Sequence, residues 1–127
     1  MTYTSKEKAL HIAKLLDNKK AVDIKILELK DLSIITDYFV ICSADSTTQV
    51  KALTEYLEEQ MDLEGFKPLH IEGFNYAHWV LLDYGDVIVH IFLEETRHYY
   101  DLERLWLDAP RIPFESTISD KTRAVYR

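Results

Sequence analysis

Cysteine is almost missing from this chain: one of its 127 residues, Cys42, carries a thiol. An intrachain disulfide framework is therefore excluded, and a lone thiol inside an apolar, strand-like run suits a reducing compartment. No apolar run approaches the roughly 20 residues needed to cross a bilayer, which excludes a membrane-spanning helix. Internal repeats and low-complexity tracts are absent as well. Met1 to Ser5 leads directly into an amphipathic, acid-containing helix pattern, unlike a signal or transit peptide, so a cytoplasmic location is expected. Positive charge is scarce. Formal net charge is −7, and residues 72–108 hold eight acids against Arg97 and Arg104. Such a surface repels phosphate backbones and attracts basic proteins.

What remains is ordinary for a globular domain, with 47% hydrophobic and 29% charged residues. The length predicts one domain with its own core. Thr4-x-x-Glu7 is a capping box, and the apolar spacing behind it predicts a helix from Ser5 to Asn18. Ala21 to Leu29 reads as a strand, and Tyr38 to Ala44 as a central, nearly continuous apolar one. Ser46-x-x-Gln49 opens a second helix with Val50, Leu53, Leu57 and Met61 on one stripe, ending near Gly65. A strand at Leu69 to Glu72 follows, and this strand, helix, strand order predicts a right-handed parallel crossover.

The most informative stretch is WVLLDYGDVIVHIFLEETRHYYDLERLW, from Trp79 to Trp106. Gly85-Asp86 forms the two-residue loop of a hairpin, with Tyr84 facing Val87. Alternation then puts Val80, Leu82, Tyr84, Val87, Val89, Ile91 and Leu93 on a core face. Trp79, Leu81, Asp83, Ile88, His90 and Phe92 share the other face, a mixture suited to a helix or a partner. Glu95 to Leu107 predicts a last helix with Tyr99, Leu102, Leu105 and Trp106 on its apolar side. The expected architecture is α/β, a mixed five-stranded sheet with helices packed on it. Pro110 and Pro113 end the pattern, so residues 1–108 are expected to form the domain and 109–127 a tail.

WVLLDYGDVIVHIF with RHYYDLERLW, and DYFVICSADSTTQVKAL at Asp37 to Leu53, together resemble the two signature blocks of the Iojap-type ribosomal silencing factors. Order and spacing agree, and the resemblance covers residues 5–108. It implies a factor that binds the large ribosomal subunit through a protein at its subunit-joining face, ribosomal protein L-fourteen, and sterically prevents small-subunit docking. It also permits homodimers, and it implies a fold similar to that of nucleotidyltransferases.

A catalytic alternative, a nucleotide-binding or nucleotidyltransferase-like enzyme, starts from that fold. Asp83 and Asp86 flank a tight turn and do not converge as a two-metal site requires. The Ser43-Ala44-Asp45-Ser46 turn lacks the Gly-Ser pair that lets a phosphate approach the backbone. No pair among His11, His70, His78, His90 and His98 has zinc-ligand spacing with another His or with Cys42. His90 reads as an imidazole hydrogen-bonded within the sheet. No cofactor or metal is therefore expected, and no catalytic residue is assigned. The candidate partner-binding residues are Trp79, Asp83, Tyr84, Asp86, Tyr100 and Asp101: rings to supply desolvated area, acids to meet Arg or Lys, with little direct RNA contact. Tyr99, Leu102 and Trp106 read as a core stripe, with Tyr100, Asp101 and Arg104 pointing elsewhere.

Overall fold

The computed structural model describes residues 3–116. Helix α1 (Ser5–Asn18) begins where expected. The Thr4 side chain accepts from the Glu7 amide and the Glu7 carboxylate accepts from the Thr4 amide, so two otherwise orphaned donors are satisfied. Strand β1 (Val22–Glu28) pairs antiparallel with β2 (Tyr38–Ala44), with a register shift between Val22 and Lys25. Asp23 sits at φ 51° in that bulge. Helix α2 (Thr47–Leu63) is capped by Ser46, whose side chain accepts from the Gln49 amide, and it buries Val50, Leu53, Leu57 and Met61. The short strand β3 (His70–Glu72), the hairpin β4 (Trp79–Asp83) and β5 (Val87–Leu93), and α3 (Glu94–Tyr100) follow.

Among the described residues six strands, not five, form the sheet, in the order β3-β4-β5-β2-β1-β6. The sixth, β6 (Arg111–Ile112), pairs with Leu27 and Ile26 of β1. It lies in the stretch expected to be a tail. Ile112 and Phe114, two residues apart, both pack against the core, and Ala109 is buried, so regular structure continues past residue 108. Residues 117–127 of that expected tail lie outside the described residues.

Among the described residues only β2 and β5 pair in parallel. Following the antiparallel steps from β5 through β4, β3 does run parallel to β2, as the crossover expectation has it. The two are not neighbours, because the hairpin occupies the space between them. Burial explains the placement: β5 is buried at six of its seven positions and takes the centre, whereas β3 has three residues, two of them exposed and polar, and goes to the edge.

The core face of the hairpin is the expected one. Val80, Leu82, Val87, Val89 and Ile91 pack with Ile12 and Leu16 of α1 and with Leu53 and Leu57 of α2. Truncating one such leucine to alanine costs about 2–5 kcal/mol. The opposite face carries a smaller core of Leu27, Leu29, Ile41, Phe92 and Ala109, against which Phe39, Trp79, Leu102 and Trp106 pack.

The last helix differs most from expectation. It stops at Tyr100, Asp101 takes a left-handed conformation (φ 49°, ψ 53°), and Leu102–Trp106 continues as a 3-10 turn. Aspartate tolerates that region better than most residues. The break resets the helical phase. Tyr99, placed by an unbroken helix on the core stripe, is 81% exposed, and Leu105 is exposed too, while Leu102 and Trp106 still reach the smaller core.

Candidate functional site

The hairpin turn forms as predicted: Tyr84 N–H donates to the Val87 carbonyl at 2.9 Å, and Gly85 takes φ 88°. Asp83 closes it by accepting from the Gly85 amide at 2.7 Å. Its other oxygen lies 3.7 Å from His70 Nδ1, and the side chain is 20% exposed. This carboxylate thus finds its donor within the chain. Asp86 likewise pairs with Lys8 of α1 at 2.8 Å. Tyr84 belongs to the buried core and is 8% exposed, because its parity puts it on the core face.

Trp79 stands at the far end of β4 from Asp83, about 13 Å away along the strand. Its Nε1–H donates to His90 Nδ1 at 3.0 Å, and its ring stacks on Phe92 at 4.8 Å between centroids. That bond fixes the imidazole tautomer, leaving the proton on Nε2, which is buried without a partner. Desolvation pushes the His90 pKa down to about 3. His90 therefore stays neutral across physiological pH and serves as a bracket for the indole.

Around Trp79 the structure gathers rings that the candidate set includes only in part. Tyr100 lies 5.1 Å from the indole, Tyr99 meets Tyr100 edge-on at 5.1 Å, and Tyr76 packs on His78 at 3.8 Å. Tyr76, Tyr99 and Tyr100 are 75%, 81% and 56% exposed. Together with Glu95 they border a groove of about 520 Å³. Gly73 makes the loop that carries Tyr76 possible: at φ 84°, a Cβ there would stand 2.2 Å from the Trp79 carbonyl oxygen. The candidates thus divide into two groups. Trp79 and Tyr100 meet; exposed Asp101 follows Tyr100 in the chain but lines the recess around Arg97 and Glu103; Asp83 and Asp86 lie at the opposite end of β4, engaged internally. Tyr76, His78, Glu95 and Tyr99 were missed. The cluster of aromatic residues in FNYAHW was the available signal for the first two, and the helix break hid the last.

The third feature sits at the carboxyl ends of the parallel pair β2 and β5, where open α/β sheets commonly bind ligands. There the buried Arg97 donates from Nη1 to the Asp23 carbonyl (2.7 Å) and to Ser43 Oγ (3.0 Å). From Nε and Nη2 it donates to Glu103 at 3.3 and 3.0 Å. The β1 bulge turns the Asp23 carbonyl toward this guanidinium. Its donors are engaged by the chain itself, so the arrangement clamps the 3-10 turn to the sheet and offers no free cation to a phosphate. Among the described residues, no group of three or more His, Cys, Asp or Glu side chains could hold a metal ion, and no helix is long and apolar enough to cross a membrane.

A small acidic α/β domain that exposes tyrosines and carboxylates beside a half-buried indole has the make-up of a protein-docking module. Comparison gives it a family. The profile described as RsfS, ribosomal silencing factor during starvation, matches residues 2–126. Ribosomal silencing factor RsfS of Bacillus subtilis (strain 168) is 46% identical over 94 residues, covering 74% of this chain and 80% of the relative. That of Halalkalibacterium halodurans is 43% identical over 103 residues, covering 81% and 88%. A crystal structure from Bacillus halodurans superposes with TM-score 0.74 at 37% identity, covering 84% of this chain and 98% of that one. The chain belongs to the ribosomal silencing factor family.

Proposed function

We propose that this protein silences translation by binding the large ribosomal subunit through a basic ribosomal protein, L-fourteen, and so blocking the approach of the small subunit by occupancy. The observation that carries the reading is the cluster of exposed Tyr76, Tyr99 and Tyr100 around the half-buried Trp79, beside Glu95, in a chain of this family. Rings provide desolvated area there, and carboxylates complement lysine and arginine on the partner. Occlusion needs no turnover, so the proposal includes no catalytic step. Two features favour it over a nucleotide-handling enzyme: the engaged Arg97 and the two turn aspartates, each paired within the chain.

A cytoplasmic location follows from the ribosomal partner, and a homodimer formed through half-buried apolar surface on the sheet is part of the proposal. Sedimentation tests the silencing reading. Purified protein is expected to travel with isolated large subunits and to keep them from pairing with small subunits. Normal pairing in its presence would remove the silencing reading. Moderate weakening of binding with salt is expected, and a slope corresponding to six or more phosphate contacts would point to RNA.

A further inference from the structure

We propose that the groove beside Trp79 is a subsite for one arginine side chain of the protein partner, held between aromatic rings and Glu95; this deepens the silencing reading and rests on it for the identity of that partner. Preference for a guanidinium belongs to the groove alone. Trp79, Tyr76, Tyr99 and Tyr100 line it together with His78 and Glu95, enclosing about 520 Å³, and no lysine or arginine takes part. Such a lining attracts a cation and supplies none of its own.

Elsewhere the chain covers its own rings with cations. Lys8 stands over Phe66 at 4.6 Å and Lys51 over Phe74 at 5.6 Å, yet among the described residues no cation stands over Trp79, Tyr76, Tyr99 or Tyr100. The three tyrosines are nevertheless well exposed. Glu95 is exposed too, and among the described residues it makes no ion pair, whereas Asp86 and Glu103 each hold a basic partner. Arg97, two residues on, turns inward to its clamp and leaves the groove acidic.

A guanidinium suits this lining better than an ammonium. It is planar, weakly hydrated and carries five donors, so it lies along a ring while donating sideways to a carboxylate; an ammonium must first shed tightly held water. Indole offers the strongest cation–π surface of the natural rings. Here it is also held in place, because His90 accepts from its Nε1–H at 3.0 Å and Phe92 stacks on it. Tyr100 meets the indole with the planes 49° apart and Tyr99 stands at 89° to Tyr100, so the rings present surfaces in several directions instead of one flat wall. The space exceeds a single guanidinium and accommodates the methylene stem as well.

The test is a titration of the ¹⁵N-labelled full chain, without ribosomes, with the capped peptide Gly-Ser-Gly-Arg-Gly-Ser-Gly and with its lysine counterpart. Shifts are expected to concentrate in residues 73–79 and 94–100, and the arginine peptide is expected to bind roughly threefold or more tightly than the lysine one. Tyr99→Leu removes a ring and Glu95→Gln a charge, both at exposed positions where the fold is expected to hold. Each is expected to weaken the arginine peptide by roughly threefold. The control Asp31→Asn, on the connection between β1 and β2, loses the same charge and is expected to bind like the parent. Equal affinity for the two peptides, unchanged affinity of Tyr99→Leu, or shifts concentrated in residues 55–72 would each overturn the proposal. The two readings fail separately: arginine selectivity without cosedimentation with large subunits removes only the ribosomal partner, and cosedimentation without that selectivity removes only the subsite.

Discussion

Lowering the pH from 7.5 to 5 should destabilise this protein through one side chain. An imidazole titrates near 6.5 in an unfolded chain, whereas burial brings that of folded His90 to about 3. The unfolded state therefore binds more protons throughout that interval. Stability rises with pH there, is fully present above about 6.5, and is lost as pH falls. At pH 5 the unfolded chain gains about 2 kcal/mol from protonation that the folded chain forgoes, against almost nothing at pH 7.5. Replacing His90 with Phe removes the titration and leaves the Trp79 indole N–H without its 3.0 Å acceptor, costing about 1 kcal/mol at neutral pH. Parent and variant should thus exchange rank: His90→Phe is the weaker protein at pH 7.5 and equal or stronger at pH 5. Urea unfolding, followed by the fluorescence of Trp79 and Trp106, reads both midpoints. Glu7 and Glu64, whose carboxyls hydrogen bonding lowers, contribute only nearer pH 4.5 and equally in both proteins. Two curves displaced in parallel from pH 7.5 to 5 would refute the buried-neutral assignment.

Three further outcomes follow from the same geometry. Trp79→Ala should weaken binding to large subunits by on the order of 2 kcal/mol in cosedimentation, with circular dichroism unchanged; undiminished binding would exclude the indole from the contact surface. Arg97→Ala should lower stability by roughly 3 kcal/mol in urea unfolding, because it leaves the Asp23 carbonyl, Ser43 and Glu103 without their shared donor; a loss below 1 kcal/mol would show the clamp to be dispensable. Cys42, fully buried and with its thiol pushed up to about 12 by that burial, should resist Ellman's reagent until urea unfolds the chain, and rapid reaction in the native protein would contradict its placement.

Most of the fold was legible because its local and tertiary signals agree. The Thr4 capping box and the Tyr38–Ala44 apolar run fix α1 and β2 at the boundaries expected from sequence, and Gly85 sets the hairpin register that sorts its two faces. Sequence order conveyed less about sheet order. The β2, α2, β3 succession reads as adjacent strands, yet the hairpin separates them, because burial on both faces suits β5 for the centre and three polar-flanked residues suit β3 for an edge. β6 escaped notice for a related reason. Two residues carry no periodicity, and only pairing with Ile26 and Leu27 makes them a strand.

The site was harder to read, and Arg97 shows why. From Glu94 onward the helical spacing is unbroken in sequence, so Tyr99, Leu102 and Trp106 align on one stripe. What ends the helix is a tertiary bond network: Arg97 reaches Glu103 six residues on and, through Asp23 and Ser43, two strands that precede it by more than fifty residues. Asp101 absorbs the turn, and everything before it rotates relative to everything after. Tyr99 and Tyr100 consequently face solvent beside Trp79, while Leu102 and Trp106 cover the sheet. The aromatic surface thus exists because one buried guanidinium redirects the chain, and no pattern read along the sequence alone contains that partner.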